Sequence, residues 1–225
     1  MVTEPNTCEI KCSCKLQTPD AQLIVITGGP GAGKTAVLEM AKKVFCEHVA
    51  ILPEAASIIF GGGFWRLTSD SSRTAAQRAI FQVQTEMEKL VISEKKWAVG
   101  LCDRGTLDGL AYWPGSSESF WEMNAGKAAN EFKRYLAVIH LRSPTEKMGY
   151  NYKNPLRIES PIQASEIDNR IAEIWKHHPC YDVIESSEDF MTKAQAAIKL
   201  IYNLIPKCCL ENLKNRQIIL AGAET

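Results

Sequence analysis

Gly28-Gly29-Pro30-Gly31-Ala32-Gly33-Lys34-Thr35 is the stretch that decides how the rest of this 225-residue chain is read. Its glycines let the backbone curl so that successive N–H groups point inward, an arrangement that cradles an anion. Upstream, Leu23–Thr27 is an apolar run suited to a strand buried on both faces. Downstream, Val37, Leu38, Ala41, Val44 and Phe45 share one face of a helix predicted from Gly33 to about Cys46. The octet therefore matches G-x-x-x-x-G-K-[ST] in full and sits between the strand and the helix that this pattern requires. The helix turns its positive end toward the same anion. Gly28, Gly29, Pro30, Gly31, Ala32, Gly33, Lys34, Thr35 and Ala36 are the expected wall of a nucleoside triphosphate site, for ATP or GTP. Lys34 is expected to reach the β- and γ-phosphates, and the Thr35 hydroxyl to coordinate Mg²⁺.

Strand-like and helix-like patterns alternate away from this loop, the sequence sign of a parallel sheet covered on both faces. The reading is an α/β fold: a P-loop three-layer sandwich with five parallel strands. After Leu23–Thr27, the strands are expected at Val49–Leu52, Ala98–Cys102, Leu136–Leu141 and Tyr181–Ile184. The longest helix is predicted from Thr74 to about Glu94, with Ala76, Ile80, Val83, Met87 and Leu90 as its core stripe. Gln77, Phe81 and Gln84 lie off that stripe and read as a solvated face, with contact to a substrate base as the alternative and Phe81 also open as a second core contact. Further helices are expected around Ser119–Arg134, through Ile167, Ile171, Ile174 and Trp175, and from about Asp189 to Ile205, where Pro206 stops the helix. Ser187 reads as the cap of the last of these. A polar, proline-containing loop from Arg142 to Pro161 is expected to act as a lid.

Parallel strands bring their C-terminal ends to the edge where ligands sit. Ala98-Val99-Gly100-Leu101-Cys102-Asp103 ends there, so Asp103 is expected to face the loop and hold Mg²⁺ with Thr35. Arg104 follows, where hydrolytic motors usually carry a second acid. Asp-Arg at this strand end resembles deoxynucleoside, thymidylate and related small-molecule kinases, in which the arginine binds phosphate or substrate. Glu54, at the end of the second strand, is the candidate base for an acceptor hydroxyl; the same residue also reads as a helix-start acid. Arg142, with Arg157 second, is the expected lid arginine on the transferring phosphoryl group. Asp108 reads as a supporter of metal or substrate, or as a helix cap.

Composition narrows the function further. Twenty-six basic residues balance twenty-six acidic ones, and no basic run is present. That argues against a nucleic-acid or membrane-surface protein, since both need a positive field. No apolar stretch reaches membrane-spanning length, and Met1–Asp20 lacks the apolar core of a secretory signal. A cytoplasmic protein is expected, with eight cysteines as thiols rather than a disulfide framework. Cys8, Cys12 and Cys14 lack a fourth metal ligand at a recognised spacing. Residues 1–21 read as a tail, 22–206 as one kinase-like domain and 207–225 as a C-terminal extension.

Four segments together carry a family resemblance: Ile26–Thr35, Pro53-Glu54-Ala55-Ala56, Cys102-Asp103-Arg104-Gly105-Thr106-Leu107-Asp108-Gly109 and Trp175-Lys176-His177-His178-Pro179-Cys180-Tyr181. The chain resembles the AAA-like P-loop family that includes the ribosylnicotinamide kinase domain of the NAD-synthesis regulator and the TRPL translocation defect GTP-binding protein. The resemblance implies a nucleoside-kinase-like architecture and nucleotide binding, without implying one substrate. The resembling nucleoside kinases carry an arginine shortly after the Glu54-Ala55 equivalent; here Ala56 and Ser57 follow. Two activities stay open at this stage. One is γ-phosphoryl transfer from ATP to a small-molecule acceptor; the other is hydrolysis by an ATP- or GTP-dependent switch on a protein partner.

Overall fold

The computed structural model describes residues 21–124, 128–144, 160–187 and 189–206. Five strands form one parallel sheet in the order β2-β3-β1-β4-β5. They are β1 Gln22–Thr27, β2 Val49–Leu52, β3 Val99–Asp103, β4 Tyr135–Leu141 and β5 Tyr181–Ile184. The expected five-stranded parallel α/β fold is the one observed, with strand ends shifted by a residue.

Period-two alternation divides the core into two layers. Ile24 and Ile26 of β1 face helices α1 (Lys34–Val44) and α7 (Phe190–Leu204), where Val37, Ala41, Ala194, Ala197 and Ile201 complete the packing. Leu23 and Val25 face the other way, onto Leu107, Ile167, Ile171 and Trp175. That second layer is built from α3 (Asp70–Ser93), a 3₁₀ helix at Thr106–Tyr112 and α6 (Pro161–Trp175). Short helices α2 (Ala55–Gly61), α4 (Ser117–Met123) and α5 (Ala128–Phe132) fill the connections. Ser160 starts α6 with a capping box closed by Gln163, followed by Pro161 at the first turn.

The long helix departs from its expected form. It begins four residues earlier, at Asp70, because the Ser69 side chain accepts from the Ser72 N–H and caps it there. Its buried face is Ala76, Phe81, Gln84, Thr85, Glu88 and Val91, while Leu90 is 55% exposed. The apolar stripe is thus rotated by one position: Gln84, read as solvated, points inward, and Phe81 is a core contact, the alternative open for it. Glu88 makes that rotation favourable. It is fully buried, accepting from Gln84 Nε2 at 2.8 Å and Tyr135 OH at 2.9 Å, and it pairs with Arg134. A buried carboxylate with this many donors is satisfied where an apolar-only stripe would have left it orphaned.

At the last helix, Asp189 is the cap in place of Ser187: its carboxylate accepts from the Met191 and Thr192 N–H groups. Ser187 instead accepts from the Asp189 N–H. No helix among the described residues is long and apolar enough to cross a membrane.

Candidate functional site

Sheet order places the site. Strand β1 is central, so its exit loop, Gly28–Gly33, opens between the ends of β3 and β4. Ile26 is in register with Asp103 and Thr27 with His140, so these two side chains flank the loop's root. Gly28, Gly31 and Gly33 have φ of 138°, 81° and 93°, the left-handed region that side chains avoid. The loop leads into α1 as expected, and Lys34 begins that helix.

Lys34 is 7% exposed, and its Nζ donates to the Gly28 and Gly29 carbonyls at 3.0 and 3.1 Å. Burial, with the Arg104 charge nearby, pulls its amine down to about 8. Thr35 Oγ1 donates to Asp103 Oδ2 at 3.1 Å. The other oxygen, Asp103 Oδ1, is buried with no hydrogen-bond partner among the described residues. Burial raises the Asp103 pKa against the pull of Lys34. An orphaned carboxylate oxygen beside a threonine hydroxyl is a hard-oxygen donor set that fits Mg²⁺.

Among the described candidates, Arg104 is the one with strained backbone, at φ 76°. Its amide is held by the Ile26 carbonyl at 3.1 Å. The guanidinium turns inward: Nε donates to Glu54 Oε1 at 2.6 Å, Nη1 donates to the Gly28 carbonyl at 3.1 Å, and Asp108 Oδ2 lies 3.6 Å from Nη1. It ties the end of β2, the root of the loop and the 3₁₀ helix into one unit. Burial would raise the Glu54 pKa, but the charges of Arg104 and Lys34 outweigh it and hold it at about 2.

Asp108 does not cap a helix. Its oxygens accept from Thr27 Oγ1 at 2.8 Å and from Trp175 Nε1 at 2.5 Å, making it the buried support of Arg104. The Trp175 indole lies so close to Gly105 that an added Cβ would sit 2.7 Å from it. This contact packs the Asp-Arg-Gly-Thr segment against the segment that starts at Trp175.

A cavity of about 480 Å³ opens from the loop across these groups. Lys34, Thr35, Glu54, Asp103 and Arg104 line its inner end, and α3 supplies the wall with Gln77, Ile80, Phe81 and Gln84. Its volume falls in the range that holds a small organic molecule. Phe81 is fixed by edge-on contact with Phe120 at 5.9 Å between ring centroids. Toward solvent the wall is Phe60, at the end of α2, with Leu67 and Trp65, the last 74% exposed, on the segment after Gly61-Gly62-Gly63.

Arg142 is placed on the opposite side of the loop from this cavity. Its guanidinium pairs with Asp168 Oδ2 at 2.9 Å and donates to Asn169 Oδ1 at 2.7 Å, both on α6. Arg157 and most of the expected lid lie outside the described residues, as do Cys8, Cys12 and Cys14. The structure therefore gathers Lys34, Thr35, Glu54, Asp103 and Arg104 in one place and keeps Arg142 apart from them. Three residues at the site were not singled out from the sequence: His140, Asp168 and Lys193, all buried behind the loop. Each had a signal, because each is a polar side chain on an otherwise apolar strand or helix face.

A family profile described as an AAA domain matches residues 23–193. No curated protein matches the chain in sequence. Among solved structures, thymidylate kinase from Ehrlichia chaffeensis is similar with a TM-score of 0.52 and 15% identity, covering 81% of this chain and 99% of that one. At that identity the likeness is one of fold.

Proposed function

Because the chain belongs to the AAA domain family and has the fold of a P-loop kinase, we propose that it transfers the γ-phosphoryl group of ATP to a small-molecule acceptor. The observation that carries this reading is the shared wall. Lys34 and Thr35 belong both to the phosphate loop and to the 480 Å³ cavity, so a bound triphosphate and an acceptor meet there. A hydrolase needs room only for water at this point.

The main-chain amides of Gly31–Thr35 would hold the phosphates, with Lys34 neutralising charge as it develops. Thr35 and Asp103 would hold Mg²⁺, which neutralises charge on the β- and γ-phosphates when bound. Glu54 stays ionised at neutral pH. With its pKa near 2 it is a weak base, so its larger contribution is to accept the acceptor's hydroxyl hydrogen bond and orient that oxygen. Arg104 keeps Glu54 in place and carries a positive charge beside the transfer point. The inner end of the cavity holds Glu54, Asp103 and Asp108 against Lys34 and Arg104. A neutral hydroxyl fits that balance better than a second phosphate would.

The test is ADP formation by the purified protein in magnesium buffer. The acceptor panel holds nucleosides, nicotinamide riboside, nucleoside monophosphates and simple polyols. Turnover raised by a hydroxyl-bearing acceptor, with the product phosphorylated, supports transfer. Steady hydrolysis indifferent to every acceptor would favour the second reading, a nucleotide-dependent hydrolase or switch working on a protein.

A further inference from the structure

The phosphate loop is gripped from behind by two buried side chains of opposite charge, and neither takes part in the chemistry above. Asp168 of α6 is 2% exposed and accepts the Gly29 N–H at 2.7 Å. Its other donors are His140 Nε2 at 2.9 Å, Arg142 Nη1 at 2.9 Å and the Ser143 N–H at 3.3 Å. Lys193 of α7 is 5% exposed and donates to the Ala32 carbonyl at 2.9 Å and the Arg142 carbonyl at 2.5 Å.

A carboxylate this near a polyphosphate site opposes anion binding by its charge, and a lysine interrupts the apolar face of α7 that includes Ala194, Ala197 and Ile201. Both are costly places for charge unless the geometry they impose is needed. A loop that binds phosphate must turn some amides inward and its carbonyls outward. Gly29 shows how that is fixed here: its N–H goes to Asp168, and its carbonyl accepts from Lys34 Nζ and from the Ala32 N–H at 3.3 Å. The Ala32 carbonyl is held outward by Lys193 in the same way. There is no slack behind the loop. A Cβ on Gly29 would lie 2.7 Å from the Asp168 Cβ and 2.8 Å from the Ala164 carbonyl oxygen, and one on Gly33 would lie 2.6 Å from the Phe190 ring.

We propose that Asp168 and Lys193 are positioning residues of the nucleotide site, holding the Gly29 N–H and the Ala32 carbonyl away from the phosphates so that the remaining amides converge on them. Neither touches the nucleotide. This rests on triphosphate binding at the loop and not on the transfer step, so it stands or falls apart from the choice between kinase and hydrolase.

The experiment titrates ATP·Mg²⁺ calorimetrically into the full chain and the variants Asp168→Ala, Lys193→Met and Gly29→Ala at 10 °C, with circular dichroism to establish folding. Asp168→Ala and Lys193→Met are each expected to weaken binding by about 10- to 100-fold, the loss of one hydrogen bond to a charged group. Ile171→Val, a fully buried core change, is the control: it lowers Tm and leaves the affinity within about twofold. Asp168→Ala with Gly29→Ala should fall well short of additivity, because both break the same contact. The wild-type chain gives a second readout by NMR. The Gly29 amide should be protected from exchange and keep its shift when ATP·Mg²⁺ is added, while the Gly31–Thr35 amides move. Folded variants that bind ATP·Mg²⁺ like the wild type would overturn the proposal, as would a Gly29 amide that exchanges freely or moves with the others.

Discussion

The two sides of the phosphate loop are built on different plans. On the cavity side, Lys34, Thr35, Glu54, Asp103 and Arg104 all lie at strand ends or in the loop itself, within a residue or two of an apolar run. On the rear side, Asp168 comes from the middle of α6, Lys193 from the first turn of α7, and His140 from inside a strand. The cavity side has unspent bonding capacity, seen in the orphaned Asp103 Oδ1. The rear side is saturated, with four donors on the Asp168 carboxylate. One side keeps a bonding position open and the other is fully bonded, which is the division that the proposed preorganised site requires.

The comparison breaks most visibly at its reactive end. Lys34→Ala should lower turnover at least about 10³-fold while the fold is retained, since it removes charge stabilisation of the transferring group. Unchanged turnover would show that the loop is not the reacting site. Asp103→Asn should cost about 10²- to 10³-fold, and added Mg²⁺ should restore part of the loss if the carboxylate holds the metal. A loss insensitive to metal concentration would remove Asp103 from that role. Glu54→Gln comes next, at about 10- to 100-fold in kcat with little change in nucleotide affinity, the mark of a group that orients the acceptor.

A smaller effect separates the two plans by pH. The folded-state pKa of Glu54, about 2, lies below its ordinary value of 4.5. Its contribution to stability is present above about pH 4.5 and is lost as pH falls toward 2. The wild type should therefore exceed Glu54→Gln by about 3 kcal/mol at pH 7, from the size of the shift, with the gap closing in acid. Denaturant unfolding at both ends of that window measures it, and a gap independent of pH would contradict the Arg104–Glu54 pairing. The smallest expected change concerns the exposed rim. Trp65→Ala should alter acceptor KM by several-fold and leave nucleotide affinity and Tm unmoved, since the ring is mostly in solvent.

What could be read in the sequence follows the same division. Local pattern carried the loop, the five strands and the strand-end acids, because each is encoded within about ten consecutive residues. The face of α3 could not be read that way. Counting apolar residues chose Leu90 and Ile80, whereas the Arg134, Tyr135 and Gln84 donors make the buried carboxylate of Glu88 the better occupant of the interior. The roles of Asp168 and Lys193 depend on where α6 and α7 dock, which no local window contains. Their presence on apolar helix faces was visible, but their partners were not. Asp108 lies between these cases: its neighbour Arg104 is four residues away, and its other partners, Thr27 and Trp175, are remote in sequence.

The most direct test is a calorimetric titration of the purified chain with ATP and, separately, GTP, each in magnesium buffer and again with the magnesium chelated. Saturable one-to-one binding of at least one triphosphate, weakened severalfold or more without magnesium and abolished in Lys34→Ala, is the expected result. No affinity for either nucleotide in magnesium buffer, from protein shown to be folded, would contradict the account at its base.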